Sequence, residues 1–385
     1  MTRPAKICIC TGSRAEYGIL RPLMRQVAAN ASLSLQVIAA GMHLSEEFGH
    51  TVDCITADGF RVDKLVEMLP AADTPAAMAE SVGRGVIGFT GAFESLSSEI
   101  VVVLGDRTEA FAAAVAGALS ARVVAHIHGG DRAEGGYDDY MRHAITKMAH
   151  LHFAATEGSA RRVRRLGERA DRIYVVGAAG LDEIRPSRLP GVSETKKKFG
   201  FAPRTPLIVA VQHSVSTRPA SSSAEISETL EALEALSLPT VLVYPNSDAG
   251  GRSMIETIES FGPRRWLAVE ASLSRDDFLA LMKAASAMVG NSSAGIIEAA
   301  SLRLPVVNIG RRQAGRERSG NVIDVPADRA RIAEALRTAI YDRVARQRLT
   351  SAKNIYGDGR ASQRIVRILE QVEIGPDILA KQITY

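Results

Sequence analysis

The sequence predicts an α/β protein made of two doubly wound halves that face one cleft, and three observations lead there. Short apolar runs recur along the chain, each closes on a small or polar turn, and a longer helical pattern follows each turn. Runs this short and this apolar, alternating with helices, mark parallel strands buried on both faces. At 385 residues the chain is also too long for one ordinary core and suits two domains.

The runs come in order. In the first half they occupy residues 6–13, 100–105, 122–128 and 172–177; in the second, 207–212, 240–245, 287–290 and 305–309. Between Pro186 and Pro206 lie four prolines and Lys196, Lys197 and Lys198, with no convincing strand. The domain boundary is therefore placed there, giving an N-terminal domain over 1–185 and a C-terminal domain over 186–365. A last helix, over 366–385, is expected to pack back on the first domain.

Composition narrows the classes of function. An apolar fraction of 46% beside 23% charged residues is that of a globular chain. The net charge is only +4, and its densest run, residues 161–165, lies in a helical pattern and reads as a solvated face, so no nucleic-acid partner is expected. Three cysteines cannot all pair, which suits a reducing compartment, and no apolar run approaches the roughly 18–20 residues of a membrane span. A cytoplasmic protein with no membrane partner is expected. An exposed apolar helix face in the first half would suit a homodimer or homotetramer, although the same pattern could be core.

In doubly wound sheets ligands bind beyond the carboxyl ends of the strands, so the residues just after each run carry the interest. After the first run come Gly12, Ser13 and Arg14 at a helix start, an anion site or a plain surface turn. Asp106 follows the run at 100–105, as a helix cap or as a base in the cleft. Residues 126–143 form the densest polar cluster, with His126, His128, Asp131, Glu134, Asp138, Asp139 and Arg142 among four glycines. Such a loop packs poorly and suits function, and carboxylates this close perturb one another's ionisation. His126 and His128 share a strand face in this reading. A metal on them with Asp131 is disfavoured, because familiar zinc spacings are absent, and one of the two reads as a hydrogen-bonded core residue. In the second half His213 follows the run at 207–212 as an acid, a phosphate partner or a structural histidine. Ser292 and Ser293 open a helix that carries Glu298 in its first turns, a pattern for phosphate and ribose. Arg316 belongs to a cationic segment, residues 311–318, able to line a diphosphate site. No metal and no cofactor are called for.

Taken together, residues 12–18, 41–49, 105–109, 128–131, 244–252, 290–298 and 308–316 closely resemble the motifs of the UDP-N-acetylglucosamine 2-epimerase family, its hydrolysing branch in particular. The resemblance implies a glycosyltransferase-B architecture: two Rossmann-like domains, with the nucleotide held mainly by the second. It implies Ser292, Ser293 and Glu298 as diphosphate and ribose contacts and Arg14 as a diphosphate partner. It implies Asp106, Asp131 and Asp138 as catalytic carboxylates, with Asp139 sharing the slot of Asp138, and His213 as the active-site histidine. Glu134, Arg142 and Arg316 complete the substrate contacts. The implied reaction removes the proton on carbon 2 while UDP leaves carbon 1, then adds water across the resulting glycal with the opposite configuration. Two departures matter. Ile19 stands where non-hydrolysing members carry a lysine, which favours the hydrolysing branch. Asp131 stands where hydrolysing members commonly have Glu, withdrawing the carboxylate by about 1.5 Å; local adjustment of the loop is expected to tolerate this, and a shifted substrate such as a 4-acetamido-4,6-dideoxy sugar is the alternative. The rival readings are a non-hydrolysing epimerase, a glycosyltransferase on the same fold, and a non-catalytic nucleotide-sugar sensor.

Overall fold

The computed structural model describes residues 3–72, 74–133, 138–184, 187–215, 217–246 and 248–385, with the backbone alone at Asp138. The first half builds a seven-stranded parallel sheet from β1 (Ala5–Thr11), β2 (Leu33–Ala40), β3 (Lys64–Val66), β4 (Ile100–Leu104), β5 (Val123–Ile127), β6 (Leu151–Ala154) and β7 (Ile173–Val175). The second builds a six-stranded parallel sheet from β8 (Ile208–Val211), β9 (Thr240–Val243), β10 (Leu267–Glu270), β11 (Ala287–Gly290), β12 (Val306–Ile309) and β13 (Val322–Val325). The spatial orders are β3-β2-β1-β4-β5-β6-β7 and β10-β9-β8-β11-β12-β13. Each sheet reverses its winding once, between β1 and β4 and between β8 and β11, and a crevice opens at such a reversal.

Alternation along the strands explains the burial. Ile7 and Ile9 enter one core layer of the first sheet with Val37, Ile100 and Val102, while Cys8 and Cys10 enter the opposite layer with Ile38, Val101 and Val103. The second sheet is likewise covered on both faces, by layers holding Ile208 and Ala210 or Val209 and Val211. Both faces need apolar residues, which is why these strands read as continuous apolar runs. All eight runs seen in the sequence contain a strand. The five other strands are more polar or short: β2 carries Ser34 and Gln36, β3 has three residues, β6 includes His152, and β10 and β13 lie at sheet edges.

The chain crosses between the sheets twice, and the crossings touch. The Ala178 N–H donates to the Tyr356 carbonyl at 2.7 Å. Gly177 (φ +90°) and Gly357 (φ +126°) meet so closely that a Cβ on Gly357 would lie 3.1 Å from the Gly177 Cα. After the second crossing the helix Ala361–Leu369 lies against the helix Arg14–Ala28, placing Ile365, Val366 and Leu369 in the first core. The Asp182 carboxylate accepts the Ala361 and Ser362 N–H groups at 2.9 and 2.6 Å, which fixes the start of that helix.

Candidate active site

The site forms where the two reversal points face each other. After β4, Gly105 takes φ +70° and presents Asp106 to the cleft. His126, fully buried on β5, holds that turn through Nε2 on the Gly105 carbonyl at 2.7 Å, with Thr146 Oγ1 at 3.2 Å from Nδ1. Burial lowers its pKa to about 3, so it is the hydrogen-bonded core histidine of the pair. The expectation that His126 and His128 share a strand face fails. The strand ends at Ile127, and His128 turns into the left-handed region at φ +66°, which points its ring elsewhere. Among the described residues no group of three or more His, Cys, Asp and Glu gathers as metal ligands would.

Arg142 is the hub. It projects from the helix Asp138–Met148 and is 1% exposed. Its guanidinium pairs with the Asp106 carboxylate, donates to the Asp131 carbonyl at 2.9 Å, and lies 3.5 Å from Asp139. Burial, then the positive charge of Arg316, Arg312 and Arg162, pushes its pKa down. A guanidinium keeps its proton in proteins, so this crowding of cations is answered by anions instead. Arg162 belongs to the run at 161–165, yet it turns inward, with Nε donating to the Gly130 carbonyl at 2.5 Å, while Arg161 is exposed.

Asp131 is 2% exposed, and both of its oxygens are engaged. Ser159 Oγ donates to Oδ1 at 2.7 Å, while His128 Nδ1 and Arg316 reach Oδ2 at 3.2 and 3.1 Å. Burial resists ionisation, but the His128 hydrogen bond and the charges of His128 and Arg316 outweigh it and hold the pKa at about 2. Asp139 accepts the Ala133 N–H at 3.0 Å and faces His143 at 3.6 Å; against burial, these contacts lower its pKa. Glu134 and the Asp138 side chain lie outside the described residues.

The second domain supplies the opposite wall. His213 follows β8 and is clamped by Asn291, which accepts its N–H at 2.7 Å and donates to its carbonyl at 2.8 Å. The Asn246 N–H donates to His213 Nδ1 at 3.2 Å, so the neutral ring carries its proton on Nε2. Burial, with help from Arg312 and Arg107 and against Asp248, lowers its pKa to about 3. Ser292 caps the helix Ser293–Ile297, accepting the Ala294 N–H at 3.4 Å. Glu298 stands past the end of that helix and not in its first turns, because the helix begins at Ser293 and closes after five residues. It is buried, paired with Arg275 at 2.8 Å, and its other oxygen lies where a Cβ on Gly180 would fall only 2.7 Å away. Ile19 borders the same spot. Arg14 reaches across the domains to Ser272 Oγ at 3.2 Å, and Arg316 comes across to Asp131.

Sequence reasoning passed over Arg107, Asp248 and Arg312. Arg107 lies beside Glu109 at 3.3 Å and spans the cleft toward Asp248 at 3.6 Å, which Arg312 approaches at 3.9 Å. All three stand inside motifs that carry the family resemblance, Arg107 directly after Asp106 and Arg312 in the cationic segment 311–318. Only the fold shows that they converge.

Known proteins resemble this chain in sequence and in fold. Residues 25–370 fit the family described as UDP-N-acetylglucosamine 2-epimerase. A Legionella pneumophila protein named UDP-N,N'-diacetylbacillosamine 2-epimerase (hydrolyzing) is 36% identical over 376 residues, 98% of either chain. The chain belongs to the UDP-N-acetylglucosamine 2-epimerase family. Within the family it is also similar to the polysialic acid biosynthesis protein P7 of Escherichia coli, at 31% identity over 95% of this chain and 93% of that one. The structure of UDP-GlcNAc 2-epimerase from Neisseria meningitidis bound to UDP-GlcNAc superposes with a TM-score of 0.78 at 19% identity, over 94% of this chain and 99% of that one. At that identity the likeness speaks for the fold, which is the glycosyltransferase-B arrangement expected.

Proposed function

We propose that this family member is a hydrolysing UDP-N-acetylhexosamine 2-epimerase, releasing UDP and the free sugar inverted at carbon 2. The observation that carries the reading is the convergence of Arg142, Arg162, Arg312 and Arg316 beside carboxylates held ionised, in a cleft between two nucleotide-type sheets. Elimination of a diphosphate needs that combination: cations and N–H donors for the leaving group, and a carboxylate to take the proton on carbon 2. Asp106 is the base in this reading, since its position after β4 leaves its side chain 20% exposed beside the Arg142 guanidinium. His213, with Nε2–H, donates to the diphosphate; Arg14 supports it, and Ser292, Ser293 and Glu298 hold the nucleotide. The loop that carries Asp131, Glu134, Asp138 and Asp139 serves the second step, in which water adds to the glycal.

The relatives support hydrolysis over simple epimerisation, as does Ile19 in the place of the non-hydrolysing lysine. They also favour a UDP-linked 4-acetamido-4,6-dideoxy sugar beside UDP-N-acetylglucosamine. A cytoplasmic site of action fits three unpaired cysteines, and among the described residues no helix is long and apolar enough to cross a membrane. Self-association through the helices Pro75–Leu96 and Thr108–Leu119 fits the exposure there of Ile87 (77%) and Leu119 (83%). Proton NMR in deuterated water with each UDP-sugar tests the reaction. UDP and a free sugar deuterated at carbon 2 are expected; a mixture of intact UDP-sugars would establish a non-hydrolysing enzyme instead.

A further inference from the structure

We propose that His128 returns the proton to carbon 2 in the second step, through Nε2, and that Asp131 is a positioning residue that holds its Nδ1. The inference rests on the epimerase reading and assigns the proton donor which that reading leaves open.

Three features of the loop after β5 point to His128. Its backbone sits at φ +66°, a conformation that non-glycine residues adopt at a cost of about 1–3 kcal/mol and that clusters at functional sites. That turn is fixed on both sides. The His128 N–H donates to the Phe153 carbonyl at 3.0 Å, and Gly130 presses so tightly on the helix Glu157–Arg165 that a Cβ there would lie 2.3 Å from the Ser159 carbonyl. The second feature is the ring's own anchoring. Nδ1 meets Asp131 Oδ2 at 3.2 Å, and among the described residues no hydrogen bond occupies Nε2. The third is the saturation of Asp131, whose two oxygens serve Ser159, Arg316 and His128. The His128 side chain keeps 10% exposure against 3% for Asp131, so the ring and not the carboxylate presents an atom to the cleft.

The placement suits the reaction. One guanidinium, that of Arg142, binds both the Asp106 carboxylate and the Asp131 carbonyl, so the base and the His128 loop border the same space. Inversion at carbon 2 requires the proton to leave by one face and arrive by the other, so two different groups are needed. Asp131 and Asp139 are held ionised and are poor acids near neutrality, so the proton comes from another group on this loop, and His128 is the one whose ring nitrogen stands open. In hydration, protonated His128 gives its Nε2 proton to carbon 2 of the glycal, and the π pair between carbons 1 and 2 becomes the new C–H bond. Carbon 1 takes the oxygen of water, which releases one proton to solvent. The neutral ring then regains a proton from solvent, and Asp106 loses to solvent the proton it took in the first step.

The test is His128→Gln, checked for fold by its affinity for UDP. Expected are UDP affinity within about threefold of native, UDP release within about fivefold, accumulation of the free 2-acetamido glycal, and a fall of about 100-fold or more in its hydration. Supplying the glycal with UDP measures hydration directly, and Asp131→Asn is expected to slow it about 10- to 100-fold. Nitrogen-15 NMR of the UDP complex gives a readout besides turnover: a proton on His128 Nδ1 whose resonance shifts in Asp131→Asn. Native hydration by His128→Gln, equal loss of UDP release and hydration, or an unprotonated Nδ1 would each overturn the assignment. A native protein that releases no UDP from any UDP-sugar overturns the epimerase reading, and the assigned step falls with it.

Discussion

Arg142 gathers the contacts of the proposed site in one side chain. A buried ion pair broken on one side costs about 3–5 kcal/mol, because the partner charge stays behind unpaired. Lysine keeps the charge but loses the planar fork that here reaches the Asp106 carboxylate and the Asp131 carbonyl together. Arg142→Lys is therefore expected to fold, with a melting temperature a few degrees lower, and to lose about 100-fold or more in kcat. Steady-state kinetics beside thermal unfolding would check this; an unchanged kcat would remove Arg142 from the working site. The places of Asp106 and His213 just beyond β4 and β8 were legible in the sequence because each directly follows an apolar run. The His128–Asp131 contact was not, because it depends on a left-handed backbone turn that periodicity cannot register. Arg107, Asp248 and Arg312 were illegible as a group for a different reason, since they follow three different strands, β4, β9 and β12, on two sheets, and only the fold brings them together.

At the level of elements, the reversal between β8 and β11 depends on one glycine. Gly290 ends β11 at φ +126°, and a Cβ there would fall 2.0 Å from the Val211 carbonyl on β8. Neither backbone can yield, since both are central strands with parallel partners on each side. Gly290→Ala should cost about 3 kcal/mol or more and abolish UDP binding, seen as poor soluble yield and a flat titration by calorimetry. Normal UDP affinity would show that the strands can part. The parallel sheets themselves were readable, since burial on both faces writes apolar runs into the chain. Edge strands β10 and β13 were not, because one exposed side lets polar residues in and erases the signal.

For the whole molecule, buried histidines set the response to acid. Burial holds His43, His126, His150 and His213 neutral, with pKa values of about 4, 3, 4 and 3, against about 6.5 in the unfolded chain. Each takes up a proton on unfolding once the pH drops below about 6.5, so their contribution is full above that value and falls as acid is added. Glu16 opposes them: burial, then Glu109, raises it to about 8, so its contribution is full below the ordinary carboxyl value and falls as the pH rises through 8. Near pH 5 four protons against one leave a net loss of about 4 kcal/mol per unit of acidification. Urea unfolding at pH 7, 6 and 5 should show it, and Glu16→Gln should steepen it; equal midpoints would contradict both. Self-association is tested by Ile87→Asp with Leu119→Asp, expected to give monomers by light scattering with the fold retained; an unchanged mass would rule out that face. The returning helix Ala361–Leu369 has a consequence for biosynthesis. Its side chains complete the first core, yet it is translated after the entire second sheet. At 5–20 residues per second the first half waits roughly 10–40 seconds on the ribosome with a groove unfilled. The two halves therefore mature together, and a nascent chain stalled before residue 361 offers chaperones an open core.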